Sequence, residues 1–286
     1  MKIIMLVENV VYAGGLSAEH GLSLYIEHGG HRFLFDTGQG DRFLKNAQAL
    51  GVDIGKVEAL IVSHGHYDHA GGLKAFCRAN TSAKIFIKEG FFEPKYNKDK
   101  KFIGIPYDKE LFEDRLQRVS HPKEIFPGVH LMTGIPLANV WDTHFDNLFV
   151  MRNGGLEPDR FADEQFLVIE EEDAISVISG CSHRGITNIV RAAAEAFADR
   201  SARHSAGPLA QGDSPGQGPK FRLVLGGFHL NNADGELADR VIHTLDEFHI
   251  ERLGCCHCTG IENYARIKSV FGQRAFYSWT GTELAF

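Results

Sequence analysis

No stretch of the 286-residue sequence reaches the roughly 18 to 20 consecutive apolar residues that a membrane helix needs, so a membrane partner is not expected. Basic charge is also scarce. The formal net charge is −7, and no basic stripe runs along the chain, which disfavours a nucleic-acid partner. Cysteine is sparse and poorly placed for a disulfide framework: an odd five, three of them crowded at Cys255, Cys256 and Cys258. A reducing cytoplasm suits such a set. Residues 1–8 form a short apolar run that turns acidic at once and lacks a cleavage region, so they read as a first strand rather than a signal peptide. No short-period repeat is visible. What is present, 43% hydrophobic and 23% charged residues, is the composition of a globular protein long enough to bury a sizeable core.

Apolar periodicity organises the chain. Leu22, Leu24 and Ile26 alternate with small or polar residues, His28-Gly29-Gly30-His31 supplies a turn, and Phe33 and Phe35 resume the alternation, which predicts a hairpin. Phe43, Leu44, Ala47 and Leu50 fall at helical spacing behind Asp41, with Gly51 as a stop signal. A second helix is expected over 70–79, and strands over 57–62, 84–88, 129–133, 166–170 and 175–179. Ile189, Val190, Ala193 and Phe197 share one helical face, as do Leu237, Val241, Leu245 and Phe248, so both helices should pack on a second sheet. Prolines at 94, 106, 122 and 127 and weak periodicity predict a largely irregular excursion over 91–127, covering the functional site. Residues 200–220, rich in Gly, Pro, Ser and Gln, read as a mobile surface loop dispensable for chemistry.

Chemistry concentrates in His64-Gly65-His66-Tyr67-Asp68-His69, directly after the apolar run 57–62. Gly65, Gly71 and Gly72 permit a tight turn there. Imidazoles with a carboxylate suit zinc, iron or manganese, whereas calcium or magnesium would draw mostly on oxygen ligands. A lone histidine would be read as a surface group; three histidines and an aspartate at a strand end are not. The spacing also excludes the helical zinc-protease pattern, which needs two histidines four apart around a glutamate. More ligands are required than this turn supplies. His183, His229 and His257 each follow a predicted strand in the later half and are the candidates.

The order H-x-H-x-D-H after an apolar strand, preceded by Phe33-Leu34-Phe35-Asp36-Thr37-Gly38, resembles the metallo-β-lactamase superfamily. Gly180-Cys181-Ser182-His183, Gly226-Gly227-Phe228-His229-Leu230, His257-Cys258-Thr259-Gly260 and the leading segment 15–23 resemble one branch of it, the 7,8-dihydropterin-6-methyl-4-(β-D-ribofuranosyl)aminobenzene-5′-phosphate synthases. The resemblance implies an α/β fold, a four-layer αββα sandwich, as a single domain over 1–286 with two similar halves joining near residue 150. It implies one or two divalent transition-metal ions, zinc first, with iron or manganese compatible. His64, His66 and a later histidine would hold the first ion, for which His183 is the choice, and Asp68, His69 and His257 the second. Asp36 would tie the first strand pair to the metal turn without touching metal.

Two features depart from the superfamily pattern. The stretch Ile178-Ser179-Gly180-Cys181-Ser182-His183 occupies the place of its bridging aspartate, and residues 131–134 lack the histidine often found there. Cys181 is a bridging thiolate, an outer group or a small buried residue, and cysteine burial in general favours the last. His229 is assigned a catalytic role with Asp68, and Glu19 and His20 lie near the site mouth or on a plain surface loop. Cys256 and Cys258, alternating on a strand, would face away from His257, so a separate closed thiolate zinc site is not expected. Lys88, Lys95, Lys98, Lys100 and Lys101, near Phe91, Phe92 and Tyr96, form a solvated run or a lid gripping a phosphate or carboxylate.

The resulting expectation is a metal-dependent enzyme for a small, phosphorylated substrate, compatible with a homo-oligomer. It would be a hydrolase or a transferase joining a dihydropterin-methyl diphosphate to an aminobenzene riboside phosphate. Alternatives are a phosphodiesterase or RNA-processing nuclease on the same fold, a flavodiiron-like redox domain, and a non-catalytic metal-binding or ligand-binding sensor. His69 stands where such redox sites use glutamate, which weighs against the redox reading.

Overall fold

Strands that are apolar on both faces need cover on both faces. In β1 (Lys2–Val7), Ile3 and Met5 pack into one core while Ile4 and Leu6 pack into another. The structure, a computed structural model, describes residues 1–198 and 218–286; most of the expected loop at 200–220 lies outside the described residues.

The chain continues through β2 (Ser23–His28), β3 (His31–Phe35), α1 (Arg42–Ala49), β4 (Ala59–Ile61), α2 (Tyr67–Ala70), α3 (Leu73–Ala79), β5 (Lys84–Lys88), β6 (Lys95–Asn97), α4 (Lys109–Phe112) and β7 (Leu116–Val119). It then forms β8 (Lys123–Phe126), β9 (Val129–Thr133), β10 (Leu148–Arg152), β11 (Gly155–Pro158), β12 (Gln165–Glu170), β13 (Ile175–Ile178) and α5 (Ile186–Ala196). After the undescribed residues come β14 (Phe221–Gly226), α6 (Gly235–Asp246), β15 (Leu253–Cys255), α7 (Ile261–Phe271), β16 (Ala275–Tyr277) and β17 (Glu283–Ala285).

Two seven-stranded sheets result, ordered β17-β1-β2-β3-β4-β5-β7 and β16-β15-β14-β13-β12-β9-β8, with a small β11-β10-β6 sheet beside them. Each large sheet is parallel on one side, β3-β4-β5-β7 and β13-β14-β15-β16, and antiparallel on the other. Leu24, Ile26, Phe33 and Phe35 of the first sheet share a core with Leu131, Leu167, Ile178 and Leu223 of the second. Phe43, Ala47, Leu73 and Phe76 from α1 and α3 cover the outer face of the first sheet. Ile189, Val241, Leu245 and Ile267 from α5, α6 and α7 cover that of the second. This is the expected four-layer αββα sandwich.

The β2–β3 hairpin keeps the expected register, Leu24 opposite Phe35 and Ile26 opposite Phe33. Gly29 and Gly30, at φ 58° and 84°, make its two-residue turn, a conformation that matches strand twist but strains other residues. Elsewhere the structure differs from expectation. The helix expected over 70–79 is two pieces, α2 and α3, and α2 carries Asp68 and His69 out of the irregular turn.

The 91–127 excursion is not largely irregular. It contains β6, α4, and the edge strands β7 and β8 of the two large sheets. Edge strands bury only part of their side chains, so their alternation is faint in sequence. The chain thus changes sheet between Val119 and Lys123, well before residue 150, and β17 later returns to pair with β1. Among the described residues, no helix is long and apolar enough to cross a membrane.

Phe33 is fully buried between the sheets, so Phe33→Ala is expected to lower unfolding free energy by about 3–5 kcal/mol. Denaturant melts of wild type and variant measure this, and a loss under about 1 kcal/mol would mean the layers are not closely packed.

Candidate metal centre

Residues just beyond the carboxyl ends of β3, β4, β13, β14 and β15 meet at one edge of the sandwich, where open α/β sheets tend to build sites. Four of these strand ends turn through a left-handed backbone at a non-glycine residue: Asp36 (φ 59°), Ser182 (58°), His229 (50°) and His257 (50°). Each such turn costs roughly 1–3 kcal/mol unless its surroundings enforce it. At Ser182 the enforcement is visible, because its hydroxyl donates to the Gly227 carbonyl at 2.8 Å. At Gly65, a side chain would collide with the Phe91 carbonyl oxygen, so the metal turn packs directly on the overlying segment.

The first group of donors is His64, His66 and His183, with ligand atoms all within 4.8 Å of one another. Their Nε2 atoms are buried and have no hydrogen-bond partner. Their outward nitrogens are anchored in two cases. His183 Nδ1 lies 3.3 Å from the His144 carbonyl oxygen, and His64 Nδ1 lies 3.0 Å from Ser63 Oγ, which donates to Asp36 at 2.7 Å. Both contacts place the proton on Nδ1 and leave the Nε2 lone pair facing inward. Burial pushes the His64 and His183 imidazoles well below their usual range and His66 to about 3. All three are therefore neutral, the form that binds a cation.

Asp68 anchors the second group. Its Oδ2 lies 3.2 Å from His20 Nε2, 3.3 Å from His257 Nε2 and 3.8 Å from His69 Nε2. His69 Nδ1 donates to Asp36 Oδ2 at 2.7 Å, and His257 Nδ1 meets Asn9 Oδ1 at 2.9 Å while its backbone N–H donates to Glu8 at 2.6 Å. Burial works against the Asp68 carboxylate, but His69, His20 and His257 outweigh it and hold the group well below the usual carboxylate range. Burial likewise lowers His69, yet Asp68 and Asp36 together hold it up at about 9.

Cys181 lies between the two groups. Its sulfur is 3.0 Å from His69 Nε2, and it shares 4.8 Å clusters with His64 and His69, with His183 and His229, and with His257 and Cys258. Burial pushes its thiol pKa well up. Cys258 corrects an expectation: β15 stops at Cys255 and His257–Thr259 form a 3-10 turn, so strand alternation does not apply. Cys258 faces the same basin as His257, its sulfur accepting the His229 N–H at 3.3 Å.

The structure thus brings together His64, His66, Asp68, His69, His183, His229 and His257. The His229 ring lies 4.3 Å from that of His183, its Nδ1 buried without a partner. His20 reaches the site, whereas Glu19 does not touch a donor and instead accepts the Gln39 N–H at 3.1 Å. Lys95 leaves the lysine run altogether, since it is buried between Asp159 and Asp163. Glu8, Asn9, His144, Asp163 and Glu164 support the site and were not singled out from sequence. No local pattern marks them, although Glu8 and Asn9 do follow the end of β1.

A family model described as the metallo-beta-lactamase superfamily matches residues 17–155. The structure superimposes on that of Tm1679, a metal-dependent hydrolase of the β-lactamase superfamily, with TM-score 0.81 and 29% identity over 100% of this chain and 99% of that one. The chain has the metallo-β-lactamase fold and resembles members of that superfamily along its length. It is also 28% identical over 281 residues to the 7,8-dihydropterin-6-methyl-4-(β-D-ribofuranosyl)-aminobenzene-5′-phosphate synthase of Methanocaldococcus jannaschii, covering 92% of this chain and 88% of that protein. Zn²⁺-bound PqqB from Methylobacterium extorquens shares the metallo-β-lactamase fold, with TM-score 0.60 and 14% identity over the full length of both chains.

The donor set fits the divalent ions typical of this superfamily, because inward Nε2 atoms that no protein group satisfies are what a cation would satisfy. His69 sets a sign for its binding. With a pKa of about 9 against an ordinary 6.5, its imidazole stabilises the metal-free fold fully below about pH 6.5, and this contribution is lost as pH rises through about 9. A cation taking His69 Nε2 must displace that proton below about pH 9. Calorimetric titrations in buffers of different ionisation enthalpy are expected to show more proton release near neutral pH than above about 9, with His69→Ala removing the difference; equal release in wild type at both values would contradict the assignment.

Proposed function

We propose that the protein is a metal-dependent enzyme acting on a small phosphorylated molecule. Three partnerless imidazole nitrogens buried within 4.8 Å of one another carry this reading. Leaving a buried donor or acceptor unsatisfied costs roughly 1–3 kcal/mol, a penalty that persists in proteins mainly where function uses the group. His64, His66 and His183 would hold one ion, and Asp68, His69 and His257 another, with Cys181 offering a thiolate between them. Bound ions of this class lower the pKa of a water or neutralise charge on a phosphate-like leaving group.

The chain's own residues supply the rest. Asp68, kept ionised by three imidazoles, can orient a group approaching the second donor set. His229, with Nδ1 free and its ring beside His183, is placed to exchange a proton with a substrate. Lys98, Lys100 and Lys101 remain exposed in the overlying segment and are the cations left to meet a phosphate there. All five cysteines are unpaired, which suits a reducing cytoplasm.

Between transfer and hydrolysis, similarity to a pterin-related synthase over nearly both chains favours transfer: a dihydropterin-methyl diphosphate joined to an aminobenzene riboside phosphate, with diphosphate expelled. The likeness to Tm1679 supports hydrolysis as the second reading. The net charge of −7 weighs against a nuclease.

Elemental analysis of purified protein is expected to find one or two equivalents of zinc, iron or manganese. His64→Ala should lose metal and lower turnover by about two orders of magnitude, the scale of removing a preorganised electrostatic group. Diphosphate release from the pterin pair supports transfer; turnover of only a phosphodiester, thioester or lactone supports hydrolysis. A metal-free protein inert to all four sinks the enzyme reading. Cobalt-substituted protein should show an intense near-ultraviolet thiolate band that Cys181→Ser removes, and a band unchanged by that substitution would exclude Cys181 as a ligand.

A further inference from the structure

Between β11 and β12, residues 159–165 touch both halves of the first donor group through backbone and side chain. Asp163 Oδ2 accepts the Gly65 N–H at 2.8 Å, in the middle of the His64-Gly65-His66 turn. Its neighbour Glu164 accepts the N–H groups of His183 and Arg184 at 2.7 and 2.8 Å, one on each carboxylate oxygen. The Gln165 N–H donates to the Ser63 carbonyl at 2.9 Å. Phe161 stacks on the His183 ring at 3.7 Å and meets the edge of His66 at 5.3 Å. His64 and His66 follow a strand of the first sheet, and His183 follows a strand of the second. Asp163 and Glu164 hold the two turns against each other.

We propose that Asp163 and Glu164 are positioning residues for the His64–His66–His183 site: two consecutive carboxylates set the separation and orientation of two candidate metal-binding turns that, among the described residues, no strand pairing joins. Three observations give this more weight than packing alone. Both carboxyl groups are almost fully buried, at 2% exposure, where leaving a backbone N–H without its acceptor is costly. The bonds fall on the backbone of a ligand residue, of the residue between two ligands, and of Arg184 next to His183, so they act on ligand position rather than on the helices behind. Lys95, 1% exposed, lies 3.1 Å from Asp163 and 3.2 Å from Asp159, which makes the overlying β6 segment part of the same clamp and leaves two carboxylates facing one ammonium.

The inference rests on the metal reading above, and cobalt binding separates the two. Titration of the metal-free protein with Co²⁺, followed by absorption, gives affinity and ligand-field pattern for wild type, Asp163→Ala, Glu164→Ala and the near-isosteric Asp163→Asn and Glu164→Gln. The alanine variants are expected to bind Co²⁺ roughly 10- to 100-fold more weakly, the usual scale for groups that orient metal ligands, with an altered ligand-field pattern. The amide variants, which keep an acceptor oxygen, should recover part of the affinity and the wild-type pattern. Asn80→Ala serves as a stability control, because Asn80 is buried and holds the 54–57 loop away from the donors. Alanine variants that match wild type in affinity and spectrum overturn the clamp while leaving the metal reading intact. A control that weakens Co²⁺ binding as much as they do also overturns it, and a wild type that binds no Co²⁺ sinks both. Should the alanine variants fail to fold, amide variants that bind Co²⁺ with the full wild-type affinity, alongside an unaffected control, would overturn the proposal.

Discussion

Both carboxylate oxygens of Asp36 are engaged by the metal turn, and the geometry of the centre follows from that. Oδ1 accepts the Ser63 N–H, and Oδ2 accepts both the Ser63 hydroxyl and His69 Nδ1, all at 2.7 Å and all fully buried. Through Ser63 the same carboxylate reaches His64. One buried carboxylate therefore fixes the orientation of an imidazole in each donor group. A low-dielectric interior makes such a network strong when complete and costly when broken. Asp36 touches neither cluster's inward face, yet it decides which nitrogen points there.

Around this network the molecule divides its tasks. Three apolar layers, one between the sheets and one under each set of helices, supply cohesion. The edge where strands end holds what the layers would not tolerate: left-handed non-glycine residues, ionised groups and nitrogens without partners. Local rules of folding are commonly broken at functional sites and nowhere else in the same concentration. Here the left-handed Asp36, Ser182, His229 and His257 and the partnerless Nε2 atoms of His64, His66 and His183 gather at that one edge.

Cys181 changes the character of the centre. Where a carboxylate would offer a hard oxygen, a thiol offers a softer donor that must lose a proton first, and burial makes that loss difficult without a cation nearby. The nearby sulfur of Cys258 adds to this soft side of the basin. The donor set is thus imidazole-rich on the His64 side and mixed on the His257 side.

The H-x-H-x-D-H turn was legible because its donors are neighbours in the chain, and His183, His229 and His257 were legible because each stands beyond an apolar run. The apolar faces of the helices carrying Ile189 and Val241 likewise announced packing on a second sheet, whereas the four-layer arrangement came from the family resemblance. Other features had no local signature. Cys258 was misplaced because β15 ends one turn earlier than alternation suggests. Lys95 read as a solvated lysine because the two aspartates that bury it lie far along the chain. The edge strands β7 and β8 were missed because half-buried strands carry little periodicity.

By itself, the sequence determined which donor atoms exist and which strands could be buried on both faces, since these depend on side-chain chemistry and spacing over a few residues. Tertiary structure alone decided which nitrogens face inward, that Cys181 lies among them, and that Asp163 and Glu164 hold two distant turns together. Those outcomes depend on contacts between segments about a hundred residues apart, and burial and hydrogen-bond partnership arise only when such segments meet.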